Sequence, residues 1–301
     1  MVKVETAAAA QAPLTTVPTL FALPPERQLS IQSAGMERQL STTSATSAKC
    51  FPVECMIESS YFTTPVVSPP NISLTRKFAT ELIGTFVLIF AATATPIVNE
   101  KTKGSVTLLG NAATAGLAIM IVIFATGHIS GAHVNPAITI AFASLRHFPW
   151  VQVPFYIAAQ VLGSIAASFT LKGIFHPYMH GGVTLPQGAY WPSFLLEFII
   201  SFNLMFVITA VATDTRAVGE LAGIAVGACV MMNIMIAGST SGASMNPVRT
   251  LGPAIAVNNY KGIWLYMLGP VLGMLAGATA YTAVRLKEED PPRLPVRVFH
   301  R

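Results

Sequence analysis

Charged side chains are scarce in this chain. Asp, Glu, Lys and Arg together make up 10% of its 301 residues, whereas a soluble domain carries about 25%. Hydrophobic residues make up 52%. This composition excludes an ordinary soluble protein, and most of the chain is expected to lie in a lipid bilayer.

Cysteines and enzyme motifs are scarce too. Cys50, Cys55 and Cys229 are too few for a disulfide framework. The basic residues form no stripe with interleaved aromatic residues, so no nucleic-acid partner is expected. The sequence has no nucleotide-binding glycine loop, nucleophile elbow or zinc motif in a suitable setting. We therefore predict no enzymatic activity, no catalytic residue, no metal and no cofactor.

The two ends of the chain differ from the rest. Residues 1–75 are rich in Ala, Ser, Thr and Pro and cannot bury enough apolar surface to offset their ordering entropy. We expect them to form a disordered cytoplasmic tail. Prolines interrupt the one apolar stretch near the start, so a cleaved signal peptide is not expected. Residues 287–301 predict a second cytoplasmic tail.

Hydrophobic runs are what the chain has in abundance. Six are long enough to cross about 30 Å of hydrocarbon as helices. Two more, Pro136–Leu145 and Pro247–Val257, would span only about 15 Å each, half a membrane. The six longer stretches are Phe78–Val98, Ser105–Thr126, Val151–Ile174, Pro192–Ala212, Val218–Gly238 and Ile263–Arg285.

Both short runs follow the same motif. Ser-Gly-Ala-His-Val-Asn-Pro-Ala at 130–137 returns as Ser-Gly-Ala-Ser-Met-Asn-Pro-Val at 241–248, an offset of 111 residues. Three spans per half is an odd number, so the second half must enter the membrane from the opposite side. This predicts an all-α membrane protein: six transmembrane helices plus two re-entrant half-helices, in inverted repeats over residues 76–180 and 190–286 of a channel domain at 76–286. The half-helices would meet tip to tip near the bilayer centre.

Flanking charge favours an orientation with both termini in the cytoplasm. Six basic residues then lie inside and four outside, a weak positive-inside bias. The inside set is Arg76, Lys77, Arg146, Arg216, Arg285 and Lys287, and the outside set is Lys101, Lys103, Lys172 and Lys261.

The repeated Asn-Pro pair indicates a helix start. Asn is a favoured N-cap and Pro is favoured at the first helical position. The NH₂ groups of Asn135 and Asn246 would remain donors beside two helix N-termini, each carrying roughly half a positive charge. Such a centre favours neutral solutes with hydroxyl oxygens and repels cations. A merely capped turn is the alternative for either copy alone.

Three charged residues within the apolar segments need an explanation. Arg249 lies three residues after Asn246 and so faces the same side of its helix, while the first half has Ile138 in that place. It is expected to clamp backbone carbonyls and to face the solute as well. Glu81 and Glu197 occupy matching places near the start of two spans. They either relay protons or accept hydrogen bonds from the irregular loops, and their symmetry favours loop support.

The paired Asn-Pro motifs on half-helices resemble those of the aquaporin, or major intrinsic protein, superfamily. Gly127–Gly131, Ala212–Glu220 and Asn246–Arg249 are similar to its plant nodulin-like intrinsic protein branch. Val248, where the superfamily usually has Ala, resembles a boric-acid-channel subgroup. The resemblance implies a homotetramer in which each monomer carries its own pore, in the plasma membrane.

The resemblance also implies the pore residues. His133 would line the inner mouth, although a packed loop histidine is the alternative. A selectivity filter with two alanines and an isoleucine would be wide and partly apolar, with Arg249 as its one strong donor. The central constriction would be Asn135, Pro136, Ala137, Asn246, Pro247 and Val248, and the filter Ala115, Ile234, Ala243 and Arg249.

The resulting prediction is a passive channel for small uncharged solutes that excludes ions and protons. Boric acid leads, with glycerol, urea and some water as further solutes. The near alternatives are silicic acid, arsenous acid or mainly water. Alternatives of another class are an ion-coupled secondary transporter and a closed-pore junctional membrane protein.

Overall fold

A computed structural model of the protein describes residues 72–286. Six helices of this part are long and apolar enough to cross a membrane, which confirms the predicted fold class. The long helices are α1 (Leu74–Lys101), α2 (Thr107–Ser130), α4 (Val153–Phe175), α5 (Tyr190–Thr213), α6 (Ala222–Ala237) and α8 (Ile263–Val284).

Two short helices complete the bundle. α3 (Pro136–Ser144) has 9 residues and α7 (Pro247–Val257) has 11. At 1.5 Å per residue each is roughly 15 Å long, so each reaches about halfway through the bilayer. The predicted half-helices are therefore present within a residue of their expected bounds.

The long helices also lie where hydropathy places them, with differences at their ends. α1 begins at Leu74, four residues before the predicted start, because the Ser73 side chain caps it by accepting from the Arg76 amide. α6 begins at Ala222, later than predicted, because Gly219–Leu221 form a short 3₁₀ turn. Of the two predicted tails, only residues 72–75 and 286 or their immediate neighbours fall in the described part. The expected disorder of the tails lies outside the described residues.

The helices pair in the same way in each half. α1 packs against α4 and α5 packs against α8, while α2 packs against α6 and joins the halves. Each half-helix also crosses over, since α3 contacts α8 and α7 contacts α4. The two repeats thus form one bundle rather than two separate domains.

The α2–α6 crossing depends on two glycines. A methyl group at Gly116 would lie 2.6 Å from the Gly227 carbonyl oxygen, and one at Gly227 would lie 2.6 Å from the Gly116 carbonyl oxygen. This reciprocity reflects the inverted repeat, because Gly116 and Gly227 are 111 residues apart, the same offset as the motif. Small residues at such crossings let the backbones of membrane helices approach closely.

The loop between α5 and α6 is fixed outside the spans. The Arg216 side chain donates to both carboxyl oxygens of Asp214, at 2.8 and 2.9 Å. It also donates to the Leu286 carbonyl oxygen at 2.7 Å. These bonds stabilise the ionised carboxyl group and hold the pKa of Asp214 below its usual value. The loop is therefore tied to the end of α8.

Gly116→Ala is expected to destabilise the protein. Its new methyl group cannot fit against the Gly227 carbonyl, and overpacking of this kind costs about 1–3 kcal/mol. Thermal unfolding of the full chain in detergent should show a lower midpoint than the unsubstituted protein. The matched control is Gly127→Ala on the same helix, where the nearest atom is 3.9 Å from the added carbon. If both variants unfold at the same temperature, the α2–α6 crossing does not depend on Gly116.

Candidate functional site

The loop that leads into α3 is held by a buried carboxyl group on α1. Oε1 of Glu81 accepts hydrogen bonds from the Ser130 hydroxyl at 2.7 Å and the His133 amide at 2.9 Å. Oε2 accepts from the Val134 amide at 2.7 Å. Glu81 is fully buried. One side chain thus satisfies two backbone N–H groups that no helix can satisfy.

The loop that leads into α7 repeats this arrangement. Oε1 of Glu197, on α5, accepts from the Ser241 hydroxyl at 2.6 Å and the Ser244 amide at 2.9 Å. Oε2 accepts from the Met245 amide at 2.9 Å. Glu197 is also fully buried. The two halves therefore use the same atoms to hold both irregular loops.

Both loops need this support because their backbone is strained. Val134 has φ +42° and Met245 has φ +52°, in the left-handed region that side chains other than glycine rarely adopt. Residues held in such conformations cost of order 1–3 kcal/mol each. Hydrogen bonds to charged groups contribute about 1.5–3 kcal/mol each, which is enough to offset that cost.

The loops bring the two motif asparagines together. Oδ1 of Asn135 accepts from the Ala137 amide at 2.9 Å, and Oδ1 of Asn246 accepts from the Val248 amide at 3.1 Å. Each asparagine is thereby the N-cap of its half-helix. In the crossed direction, Nδ2 of Asn135 donates to the Met245 carbonyl and Nδ2 of Asn246 to the Val134 carbonyl, both at 2.9 Å. The tips of α3 and α7 are thus joined by hydrogen bonds between the halves.

These crossed bonds change the picture drawn from the sequence. There, both amide groups were expected to point outward as donors. In the structure each Nδ2 uses one hydrogen to bind the opposite loop, and one hydrogen of each NH₂ group remains. Asn135 and Asn246 line a cavity that runs along the bundle.

Two cavities meet at a ring of small and apolar residues. The first, which we term the channel cavity, has a volume of about 130 Å³ and contains both asparagines on its wall. The second, which we term the vestibule, has a volume of about 320 Å³ and lies between α1, α2 and residues 181–187. The residues common to both walls are Ala92, Ala115, Ile234, Ala243 and Arg249.

Four of those five are the residues predicted for a filter. Arg249 supplies the only charge among them, and two of its nitrogens are bound. Nη1 donates to the Gly182 carbonyl at 2.8 Å and Nη2 donates to the Ala92 carbonyl at 3.3 Å. A guanidinium group has five N–H donors, so others remain for a solute at the ring.

Other predicted residues lie around the channel cavity. His133 is on its wall, is 6% exposed, and its Nδ1 lies 3.1 Å from the Thr139 hydroxyl. Its ring also packs against Phe148 and Tyr156, so it is both a packed residue and a lining residue. The remaining motif residues are buried behind the asparagines and are not on the channel wall. They are Pro136, Ala137, Pro247 and Val248.

Two residues near the site were missed from the sequence. Ala92 is on the wall at the ring and binds Arg249 through its carbonyl. Gln160 donates to Oε2 of Glu81 at 2.8 Å and to the Thr139 hydroxyl at 3.1 Å. The position that matches Gln160 in the second half is Pro270, so this support exists in one half alone. Neither residue stands out in the sequence, because one is a common alanine and the other a single amide in a span.

Metal-binding clusters were sought in residues 72–286. Within that part, no three His, Cys, Asp or Glu side chains are close enough to hold a metal ion. The site is built from backbone, amide, carboxyl and guanidinium groups.

Comparison with known proteins gives a consistent result. The family model for the major intrinsic proteins, described as "Major intrinsic protein", matches residues 69–281. The chain is 62% identical over 259 residues to aquaporin NIP6-1 of Arabidopsis thaliana, covering 85% of each protein. It is 55% identical over 301 residues to aquaporin NIP3-1 of Oryza sativa, covering 97% of this chain and 94% of that one.

A solved structure shows the same fold. The X-ray structure of the aquaglyceroporin from Plasmodium falciparum superposes with a TM-score of 0.64. The sequences are 26% identical, and the match covers 70% of this chain and 97% of that one.

Glu197→Gln is expected to destabilise the protein, because an amide has one acceptor oxygen where the carboxyl group has two. Its NH₂ group would face the amide of Ser244 or of Met245, leaving a buried donor unpaired at a cost of about 1–3 kcal/mol. Thermal unfolding in detergent should show a lower midpoint. The matched control is Glu220→Gln, at an exposed acid in the turn before α6. Equal midpoints for the two variants would contradict loop support by Glu197.

Proposed function

The chain belongs to the major intrinsic protein family, in its nodulin-like intrinsic protein branch, and we propose that it conducts boric acid and similar neutral hydroxylated solutes. Members of this family are channels for small solutes and not enzymes. The chain is thus an integral, multi-pass membrane channel. The choice of solute is the step beyond family membership.

The observation that carries this proposal is the ring at which the two cavities meet. Its side chains are three alanines, one isoleucine and Arg249. No aromatic ring or imidazole narrows it, and its strong donors come from Arg249. A compact, uncharged solute with several oxygens fits such a ring, because apolar walls accept its faces and the guanidinium group donates to its oxygens. Boric acid is neutral near pH 7 and has three hydroxyl groups.

Exclusion of ions follows from the electrostatics of the centre. The N-termini of α3 and α7 meet at the two asparagines, and each contributes roughly half a positive charge. Arg249 adds a full positive charge a short distance away. A cation or a hopping proton therefore meets an electrostatic barrier inside a low-dielectric bundle.

Glycerol and urea are proposed as further solutes because they are neutral and similarly compact. Silicic acid, arsenous acid and water are near alternatives that fit the same ring. A coupled secondary transporter and a closed-pore junctional protein remain the rivals from other classes. The proposed assembly is a homotetramer in the plasma membrane with both termini cytoplasmic, supported by the family and by the charge bias of the flanks.

Stopped-flow flux measurements on proteoliposomes test the proposal. Boric acid, glycerol, urea and water are compared in vesicles with and without the full chain, with and without a proton or sodium gradient. We expect boric acid flux that follows its own gradient and ignores the ion gradients. Flux driven by an ion gradient would indicate a coupled transporter, and flux equal to that of empty vesicles would indicate a closed pore.

Ala115→Trp is expected to reduce boric acid flux more than water flux. The indole ring would occupy the ring at which the cavities meet and leave room for the smaller molecule only. The ratio of the two permeabilities in proteoliposomes is the measurement, since it does not depend on the amount of protein inserted. The matched control is Leu117→Trp, two residues away on the same helix, where the side chain is exposed on the outside of the bundle. Unchanged boric acid flux in a correctly inserted Ala115→Trp channel would remove Ala115 from the filter.

A further inference from the structure

The vestibule differs in chemistry from the cavity on the other side of the filter. Polar side chains on its wall, besides Arg249, are Asn99, Glu100, Asn111, Thr184 and Gln187. The far end of the channel cavity is lined by Val211, Ala212 and Ala222. A solute with hydroxyl groups therefore meets many hydrogen-bonding partners at one mouth of the pore and few at the other.

Some of the vestibule groups are already used within the protein. Asn99 accepts from the Thr107 amide at 2.9 Å, and the Thr184 hydroxyl lies 2.7 Å from that of Thr250. Oδ1 of Asn111, in contrast, is buried and has no hydrogen-bond partner in the described part of the chain. A buried polar atom without a partner is costly, of the order of a lost hydrogen bond.

Glu100 is the second available group of the vestibule. It follows directly on Asn99 near the end of α1 and is exposed. Its Oε2 reaches over the turn at residues 178–182, because a methyl group at Gly181 would lie 2.5 Å from it. The neighbouring Gly182 carbonyl binds Arg249. The carboxyl group, the Asn111 amide and the guanidinium group thus border one cavity.

The internal repeat provides a comparison within the same molecule. With the motif offset of 111 residues, Asn111 corresponds to Ala222. Both line the pore, Asn111 in the vestibule and Ala222 at the opposite mouth. The two mouths share a backbone framework and differ by an amide in place of a methyl group. This break in the repeat is not needed for packing, since alanine serves at the equivalent place.

We propose that Asn111 and Glu100 form, with Arg249, a binding site that captures hydroxylated neutral solutes in the vestibule before they enter the filter. Hydroxyl groups of the solute donate to Glu100 and to the Asn111 amide, and its oxygens accept from Arg249. The inference rests on the proposed function, since it assigns a second site to the same pore and the same solutes.

A site at one mouth makes saturation asymmetric without making the channel a pump. At low solute concentration a passive channel is equally permeable in both directions. At high concentration the vestibule fills first when solute enters from its side, so flux from that side saturates at a lower concentration. Losing one net hydrogen bond of the site should raise that half-saturating concentration about fivefold.

The experiment measures initial rates of boric acid uptake and release in yeast cells that express the full chain, since all copies then face one way. The readout is the ratio of the half-saturating concentrations in the two directions, which does not depend on expression level. We expect a ratio different from one in the unsubstituted channel. Asn111→Ala should bring it about fivefold closer to one, and Glu100→Gln should move it the same way.

The repeat also supplies the decisive variant. Asn111→Ala combined with Ala222→Asn moves the amide to the other mouth, and the asymmetry should then reverse. Leu109→Ala, on the same helix but exposed on the outside of the bundle, is the control and should leave the ratio unchanged. A ratio in Asn111→Ala equal to that of the unsubstituted channel overturns the inference while leaving the proposed function intact. Absence of boric acid flux in the unsubstituted channel would instead overturn the proposed function.

Discussion

Two buried carboxyl groups determine what the rest of this structure can be. Non-helical backbone is tolerated at membrane depth only where its polar groups find partners inside the protein or in a water-filled cavity. Glu81 and Glu197 provide those partners, each for two consecutive loop amides. With the loops fixed, Asn135 and Asn246 cap their half-helices and bind each other's loop. The position of Arg249, one turn further along α7, follows from the same anchoring.

The inverted repeat builds the scaffold, while its departures supply the chemistry. Matching serines, amides and glutamates hold the two loops, and matching glycines join α2 to α6. Function enters where the halves differ. Arg249 stands where the first half has Ile138, and Asn111 stands where the second half has Ala222. A symmetric frame thus carries a filter and a polar mouth that are confined to one side.

The sequence was sufficient for most of the fold because hydropathy and motif spacing both depend on local chemistry. The half-helix α7 has the bounds expected from its Asn-Pro start and its apolar length. The start of α1 was placed too late, since a serine cap and a polar first turn carry no hydropathy signal. The bonds that join the asparagines to Met245 and Val134 are long-range contacts, and no local pattern predicts them. The same holds for Gln160 and Ala92, whose roles depend on neighbours distant in the chain.

The central claim is that two loops, each held by its glutamate, meet at Asn135 and Asn246 beside a continuous solute pathway. A cryo-electron microscopy structure of the full chain in lipid nanodiscs, at a resolution that shows ordered water, tests it most directly. We expect each asparagine amide within hydrogen-bonding distance of the opposite loop and a file of water passing both. Separated loops, or water that stops short of either asparagine, would contradict the account.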